Sequence, residues 1–476
     1  MSQKIAFECP VYKKCGGCQL LHMDYQVQLK HKREQVAKLL KPYGKLEGII
    51  GMEQPTHYRC KVHAAFGRDR KGNIISGTYK EGTHQIVPVE SCLLENEKAD
   101  AIMQTIRKLL KSFKIKTYDE DTGYGLLRHV LVRVGYQTGQ IMVVLVLGSP
   151  IMPSKNNFVK ALRREHPEIT TVVVNINDKK TSMVLGEKEQ VIYGPGYIED
   201  KLCGMIFKIS PKSFYQVNPC MAQKLYEKAI EYAMISGKET TLDAYCGTGT
   251  IGIVAAGKSQ KVIGVELNKD AVKDAIAGAK KNKLFNIRFY QADAGEFMEA
   301  MSKNAEKVDV VFMDPPRSGS SEKFLSALIR LKPKRIVYIS CNPETLARDL
   351  NFLCKRGYQM KKGAAVDMFP FTDDIETVVL LSQRKADDYV EVELELDELD
   401  VTSAESKATY AEIKDYVLKE HGVKVSNLYI SQVKRKCGIE VGENYNLPKS
   451  EDSRQPQCPK EKEKAIKNAL EHFGMI

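Results

Sequence analysis

Between residues 203 and 384, short apolar runs alternate with segments of helical period, and this alternation constrains the fold more than any other feature of the chain. The strand candidates are TTLDAYCG, KVIGVEL, IRFYQAD, VDVVFMDPP, RIVYISC and TVVLLSQ. Apolar strands joined by helices imply a parallel, doubly wound sheet buried on both faces. The last stretch, GYQMKKGAAVDMFPFTDDIETVVLLSQ, leaves no room for a helix between its two strands. It reads as a β-hairpin closing the sheet edge. The expected class is α/β, with a Rossmann-like domain over 203–384.

The other blocks differ in character. Residues 1–23 are cysteine-rich and read as a metal knuckle. Residues 24–50 hold a basic helix, DYQVQLKHKREQVAKLLK, ended by Pro42 and Gly44. Residues 51–202 read as an α+β domain, with strands in HYRCKVHAAFGRD, IISGTYKEGTHQIVPV, HVLVRVGY and QIMVVLVLG and helices near 95–113 and 155–165. Residues 385–476 form a small accessory module. An acidic stretch at 387–400 leads into a helix (ATYAEIKDYVLKEHG), a basic patch (QVKRKCG) and a closing helix.

The net charge of +12 points to an anionic partner, with RNA the first candidate. Residues 11–80 alone hold fourteen Lys and Arg against five Asp and Glu. No apolar run is long enough to cross a membrane, and the N-terminus has no signal pattern. A cytoplasmic monomer with no membrane partner is expected. In that compartment the twelve cysteines are thiols, metal ligands or catalytic groups rather than disulfides.

The first strand of the sheet runs into Asp243-Ala-Tyr245-Cys-Gly247-Thr-Gly249. Glycines there let the backbone turn sharply and approach a ligand. With Gly252 they also satisfy a dinucleotide G-x-G-x-x-G, so the glycines alone do not discriminate. Glu266, nineteen residues after Gly247, is placed to accept hydrogen bonds from a ribose, and Asp293 to meet an adenine. The D-x-Y-C-G-x-G form and the Asp314-Pro-Pro-Arg317 tip point to S-adenosylmethionine. The prolines should hold Asp314 rigidly near the methyl donor.

Ser340-Cys341-Asn342-Pro343 ends the next strand and supplies a nucleophile. Uracil C5 is too poor a nucleophile to take a methyl group unaided. A thiolate on C6 makes C5 carbanion-like, and a base must then remove the C5 proton. Cys341 is the candidate thiol. Glu376, in the closing hairpin's turn, is the candidate base. Phe214 and Gln216, in Phe214-Tyr-Gln-Val-Asn218, lie on the approach, where Phe214 could stack on an extruded base. Burial as core packing is the alternative for that aromatic pair. Cys9-x5-Cys15-Gly-Gly-Cys18, with a distant Cys92, supplies four thiolates, and spacing alone does not choose between zinc and a [4Fe–4S] cluster.

Together these motifs resemble the RNA uracil-C5 methyltransferases, which make 5-methyluridine in 23S ribosomal RNA and in tRNA. The likeness runs from Cys9 to about Gln383, with FYQVN, LDAYCGTGT, GVE, DPPR, SCNP and the hairpin Ile-Glu in the family's order. It implies Cys341 as nucleophile, Glu376 as base, and Gln216, Tyr245, Glu266 and Asp314 around the cofactor. It implies a [4Fe–4S] cluster on Cys9, Cys15, Cys18 and Cys92, and an RNA-binding role for the central α+β domain. The knuckle favours 23S rRNA over tRNA, since the tRNA enzymes usually lack it. One departure is Asp374, where the family often has His. Many members begin with a small RNA-binding barrel (TRAM), which is expected to be missing here. RNA grip is then expected from the helix around Lys30, Lys32 and Arg33, or from Lys434, Arg435 and Lys436. Two rival readings remain: an amino-group methyltransferase, which would not need Cys341, and a non-catalytic RNA-binding or iron–sulfur protein, which should have lost the glycines or the Cys–Glu pair.

Overall fold

In the computed structural model, the residues described are 8–80, 82–384, 409–439, 457–473 and 475–476. Those up to Arg384 form one compact unit and those from Thr409 a second.

The larger unit is built on two sheets. The first contains β1 (Thr240–Ala244), β2 (Lys261–Glu266), β3 (Ile287–Gln291), β4 (Val310–Met313), β5 (Arg335–Ser340), β6 (Tyr358–Val366) and β7 (Glu376–Gln383). Their spatial order is β6-β7-β5-β4-β1-β2-β3. β1 to β5 pair in parallel, while β7 runs antiparallel between β5 and β6. Val310–Met313 is buried at every position, as a strand covered on both faces should be. Phe324, Leu328, Leu346 and Leu350 cover one face. Met221, Leu225, Ile251 and Ile253 cover the other.

The sheet extends beyond the expected 203–384 block. Gly48–Ile50 adds an eighth strand, parallel to β6. The helix Tyr25–Leu40, capped by Asp24, packs beside the helix Pro343–Cys354. Its Val36 and Leu40 are fully buried, each contributing about 1.5–3 kcal/mol of hydrophobic stabilisation. The basic helix is therefore part of this unit's core. Lys32 lies at zero exposure, its ammonium 2.7 Å from Asp367, so it cannot grip RNA as the sequence suggested. Lys30 stays exposed.

The second sheet has seven strands, in the order Ile86–Pro88, Ile74–Tyr79, Lys61–Arg68, Leu127–Val134, Ile141–Leu147, Ile169–Ile176 and Lys188–Tyr193. The pair Ile141–Leu147 and Ile169–Ile176 is parallel, joined through the helix Lys155–Glu165. That helix and Glu97–Ser112 cover one face. Ile198 and Ile209 pack on the other. They belong to a hairpin, Ile198–Leu202 with Met205–Ile209, whose turn at Cys203 and Gly204 has φ of +50° and +78°. The boundary expected at 202/203 thus falls inside a tight hairpin.

The second unit contains helices Tyr410–His421, Asn427–Lys436 and Lys460–His472 around Ile413, Val417, Ile430, Val433, Ile466 and Leu470. The acidic stretch 387–400 lies outside the described residues. Lys434 is buried over the Tyr410 ring and Lys436 pairs with Glu463, so two of the three expected phosphate contacts serve the bundle itself. Among the described residues, no helix is long and apolar enough to cross a membrane.

Candidate active site

The turn after β1 is held by carboxylates. Tyr245, Gly247 and Gly249 take positive φ, at +66°, +54° and +77°. Glu266, at the tip of β2, accepts hydrogen bonds from the Gly247 N–H at 3.0 Å and the Asn268 N–H at 2.8 Å. Buried Asp243 accepts one from the Gly252 N–H at 2.7 Å. A Cβ on Gly252 would sit 3.0 Å from that same carboxylate oxygen, so the third glycine makes room for Asp243. The other Asp243 oxygen has no partner, and burial pushes its carboxyl up to about 7.

A cavity of about 690 Å³ opens beside this turn. Gln216, Tyr245, Gly247, Glu266, Asp314, Cys341, Glu376 and Phe214 all line it. Cys341 follows β5 and Glu376 opens β7. The antiparallel register sets Ser340 against Thr377, which brings the two ends together. The motif around Cys341 is helix-start machinery. Asn342 caps Pro343–Cys354 by accepting from the Glu344 N–H at 3.0 Å, and Pro343 occupies the first turn. Cys341 is thereby pinned between a strand and a helix N-terminus.

The cavity wall is rich in buried carboxyls. Burial pushes Asp314 up to about 7. Glu376 is raised well above the ordinary carboxyl range by burial, then by Asp314 and Asp374, with Arg317 opposing. The Cys341 thiol is pushed up to about 11 by burial and by Glu376 and Asp314, again with Arg317 opposing. Arg317 itself is clasped by Asp374, the residue standing where a histidine was expected from the resemblance. A positively charged ligand beside these carboxyls favours their ionised form. A sulfonium donor fits that chemistry.

Phe214 is 69% exposed at the cavity mouth. Its loop is anchored from the seven-stranded sheet. Arg133 donates to the carbonyls of Pro211 and Ser213 at 3.1 and 2.7 Å, and the Cys60 N–H to that of Val217 at 2.7 Å. Asp293 is not among the residues lining the cavity. Its carboxylate caps the helix Ala294–Lys303 by accepting from the Glu296 N–H at 3.0 Å. Sequence reasoning missed Arg59, which lines the cavity, stands about 6 Å from the Phe369 ring and has a buried Nε without a partner. A lone arginine two residues before a strand carries no signal that would have singled it out.

Arg59 also lines a second cavity, of about 140 Å³, with Cys9, Cys15, Cys18 and Cys92. Burial pushes the Cys18 thiol up to about 12, with Cys92, Cys15 and Cys9 adding to it. The four thiols therefore face one space, and Cys60 is not among them. Among the described residues, no group of three or more Cys, His, Asp or Glu side chains is placed to hold a metal ion.

This fold and this site define a class I S-adenosylmethionine-dependent methyltransferase. A family model described as tRNA (Uracil-5-)-methyltransferase matches residues 24–384, and the chain belongs to that family. It is an RNA methyltransferase. A protein of Halalkalibacterium halodurans named as an uncharacterized RNA methyltransferase is 40% identical over 383 residues, covering 79% of this chain and 83% of its own. A similarly named protein of Listeria monocytogenes is 43% identical over 377 residues, covering 78% and 83%. Among solved structures, the Pyrococcus abyssi tRNA (uracil-54, C5)-methyltransferase in complex with S-adenosyl-L-homocysteine superposes with a TM-score of 0.66 at 27% identity, covering 80% of this chain and 88% of that one.

Proposed function

We propose that this enzyme methylates C5 of a uridine in 23S ribosomal RNA, with Cys341 as nucleophile and Glu376 as base. One observation carries the uracil-C5 chemistry: Cys341 and Glu376 sit at neighbouring strand ends on one cavity, with Asp314 and the glycine turn on its walls. The Cys341 thiolate adds to uracil C6, and the electron pair moves toward C5 and O4. S-adenosylmethionine supplies an electrophilic methyl group to C5 and leaves as a neutral thioether. The Glu376 carboxylate then takes the C5 proton, the C5=C6 bond re-forms, and the C6–S bond breaks to return the thiolate. Gln216, Tyr245, Gly247, Glu266 and Asp314 hold the donor, and Phe214 stacks on the extruded base.

We assign Cys9, Cys15, Cys18 and Cys92 to a [4Fe–4S] cluster; the support is that the four thiols line one cavity. Such a cluster would cross-link the N-terminal segment to the loop carrying Cys92. No step of the methyl transfer draws an electron from it.

The family's description and the similarity to a Pyrococcus abyssi enzyme that acts on tRNA favour tRNA as the alternative substrate. Mapping 5-methyluridine in RNA from a strain lacking this gene separates the two. Loss from 23S rRNA alone supports the proposal; loss from tRNA alone refutes the ribosomal assignment. RNA containing 5-fluorouridine should trap a covalent adduct on Cys341, because fluorine cannot leave as a proton. Full activity in Cys341→Ala would sink the thiol mechanism.

A further inference from the structure

We infer that Lys32 is a positioning residue for the reaction, its buried ammonium fixing the segment that delivers Glu376. This rests on Glu376 being the base.

A lysine is almost never fully buried unless paired, and Lys32 has no exposure at all. Its ammonium has three protons and three acceptors. These are the Asp367 carboxylate at 2.7 Å, the Phe369 carbonyl at 3.1 Å and the Asp374 carbonyl at 2.9 Å. All three lie in the single stretch that links β6 to β7. Two residues beyond the last of them, Glu376 enters the cavity.

The same helix face makes two more contacts to this stretch. The Tyr25 hydroxyl donates to Asp367 at 2.9 Å, and the Phe371 N–H donates to the Gln28 side chain at 3.1 Å. Tyr25, Gln28 and Lys32 stand at i, i+3 and i+7, which is one stripe of a helix. The stretch they hold needs holding. Phe371 has a φ of +68°, a conformation that bulky residues rarely adopt and that persists only when its surroundings enforce it.

Stability does not explain the choice of residues. A buried ion pair is no better for stability than apolar side chains of the same volume. The helix already covers the sheet with Val36 and Leu40. What a three-donor cation adds is geometry: it sets three points of the linking stretch at once. Displacing a base by about 1 Å costs on the order of a hundredfold in rate.

The test compares wild type, Glu376→Gln, Lys32→Met and the double variant Lys32→Met/Asp367→Asn. All are full-length and assayed on RNA from a strain lacking this gene. The double variant removes both buried charges, so it keeps the experiment decisive if Lys32→Met fails to fold. Its melting and its binding of S-adenosylhomocysteine verify the fold and donor site. Expected in the double variant are donor binding within about twofold of wild type, kcat lowered about ten- to a hundredfold, and a methylated protein–RNA adduct accumulating several-fold. The adduct accumulates because proton removal, not thiol addition, has become slow. A purely structural role for Lys32 would lower stability without raising the adduct. Unchanged kcat, a fall in kcat without extra adduct, or loss of S-adenosylhomocysteine binding overturns the inference. If Glu376→Gln itself builds up no adduct, the assignment of the base falls first. If it does and the double variant does not, only the role of Lys32 falls.

Discussion

Replacing Glu376 by Gln keeps the shape of the side chain and removes its capacity to ionise, and the site's geometry gives this change two opposite consequences. The first concerns Cys341. Its thiol is pushed up to about 11 by burial first, then by Glu376 and Asp314. At pH 7 a thiol titrating near 11 is ionised in only about one molecule in ten thousand, against about one in a hundred at the unperturbed value of 9.0. Over the pH range in which Glu376 is ionised, removing its charge lowers the midpoint toward 9.0 without reaching it, because burial and Asp314 remain. Alkylation of Cys341 by iodoacetamide, followed against pH by mass spectrometry, should therefore shift to lower pH in the variant. The second consequence concerns turnover. Without a base the C5 proton stays on, so kcat should fall about a hundred- to ten-thousandfold while the adduct accumulates. Stability follows the same charge. A carboxyl raised in the folded state holds its proton after the unfolded chain has lost it. Its contribution to stability is thus intact below about pH 4.5 and declines as pH rises toward the folded value. Glu376→Gln should accordingly melt higher than wild type at pH 8 and alike near pH 4. An alkylation profile that does not move, or a variant that turns over normally, would refute the reasoning.

Other substitutions test other parts of the site. Asp293→Ala should cost about 1 kcal/mol of stability through the lost helix cap, read by chemical denaturation, with little change in donor affinity. A large loss of donor affinity would return Asp293 to the adenine end. Phe214→Ala should leave the melting temperature within a degree or two and weaken RNA binding by about 1–3 kcal/mol, since the ring is exposed at the cavity mouth. Cys18→Ser should abolish iron retention in anaerobically purified protein, measured by metal analysis; wild type that carries zinc and no iron would falsify the cluster.

Much of the candidate donor end's geometry was legible because its signals are local. A strand, a turn and an acid at the next strand's tip follow one another in sequence, and Gly247, Glu266 and Asp314 do line one cavity. Asp293 has the same local pattern, yet it stands outside the residues lining the cavity and caps a helix. An Asp before a helix serves equally well as a cap, and local pattern does not separate the two uses. The burial of Lys32 is hidden for a related reason. In a helix of sequence QLKHKREQ nothing marks which lysine faces inward, and its partner Asp367 lies 335 residues away.

The sequence by itself determined the alternation of strands and helices, and with it the placement of Cys341 at a strand's carboxyl end. In a parallel sheet those ends all open on one side, so order along the chain suffices to gather them. Tertiary structure alone decided what stands beside Cys341. Glu376 reaches it because β7 inserts antiparallel between β5 and β6, and the linking stretch is held by Lys32, Gln28 and Tyr25 from the far end of the chain. Strand order and burial are set by the packing of the whole core, and no window of local sequence contains them.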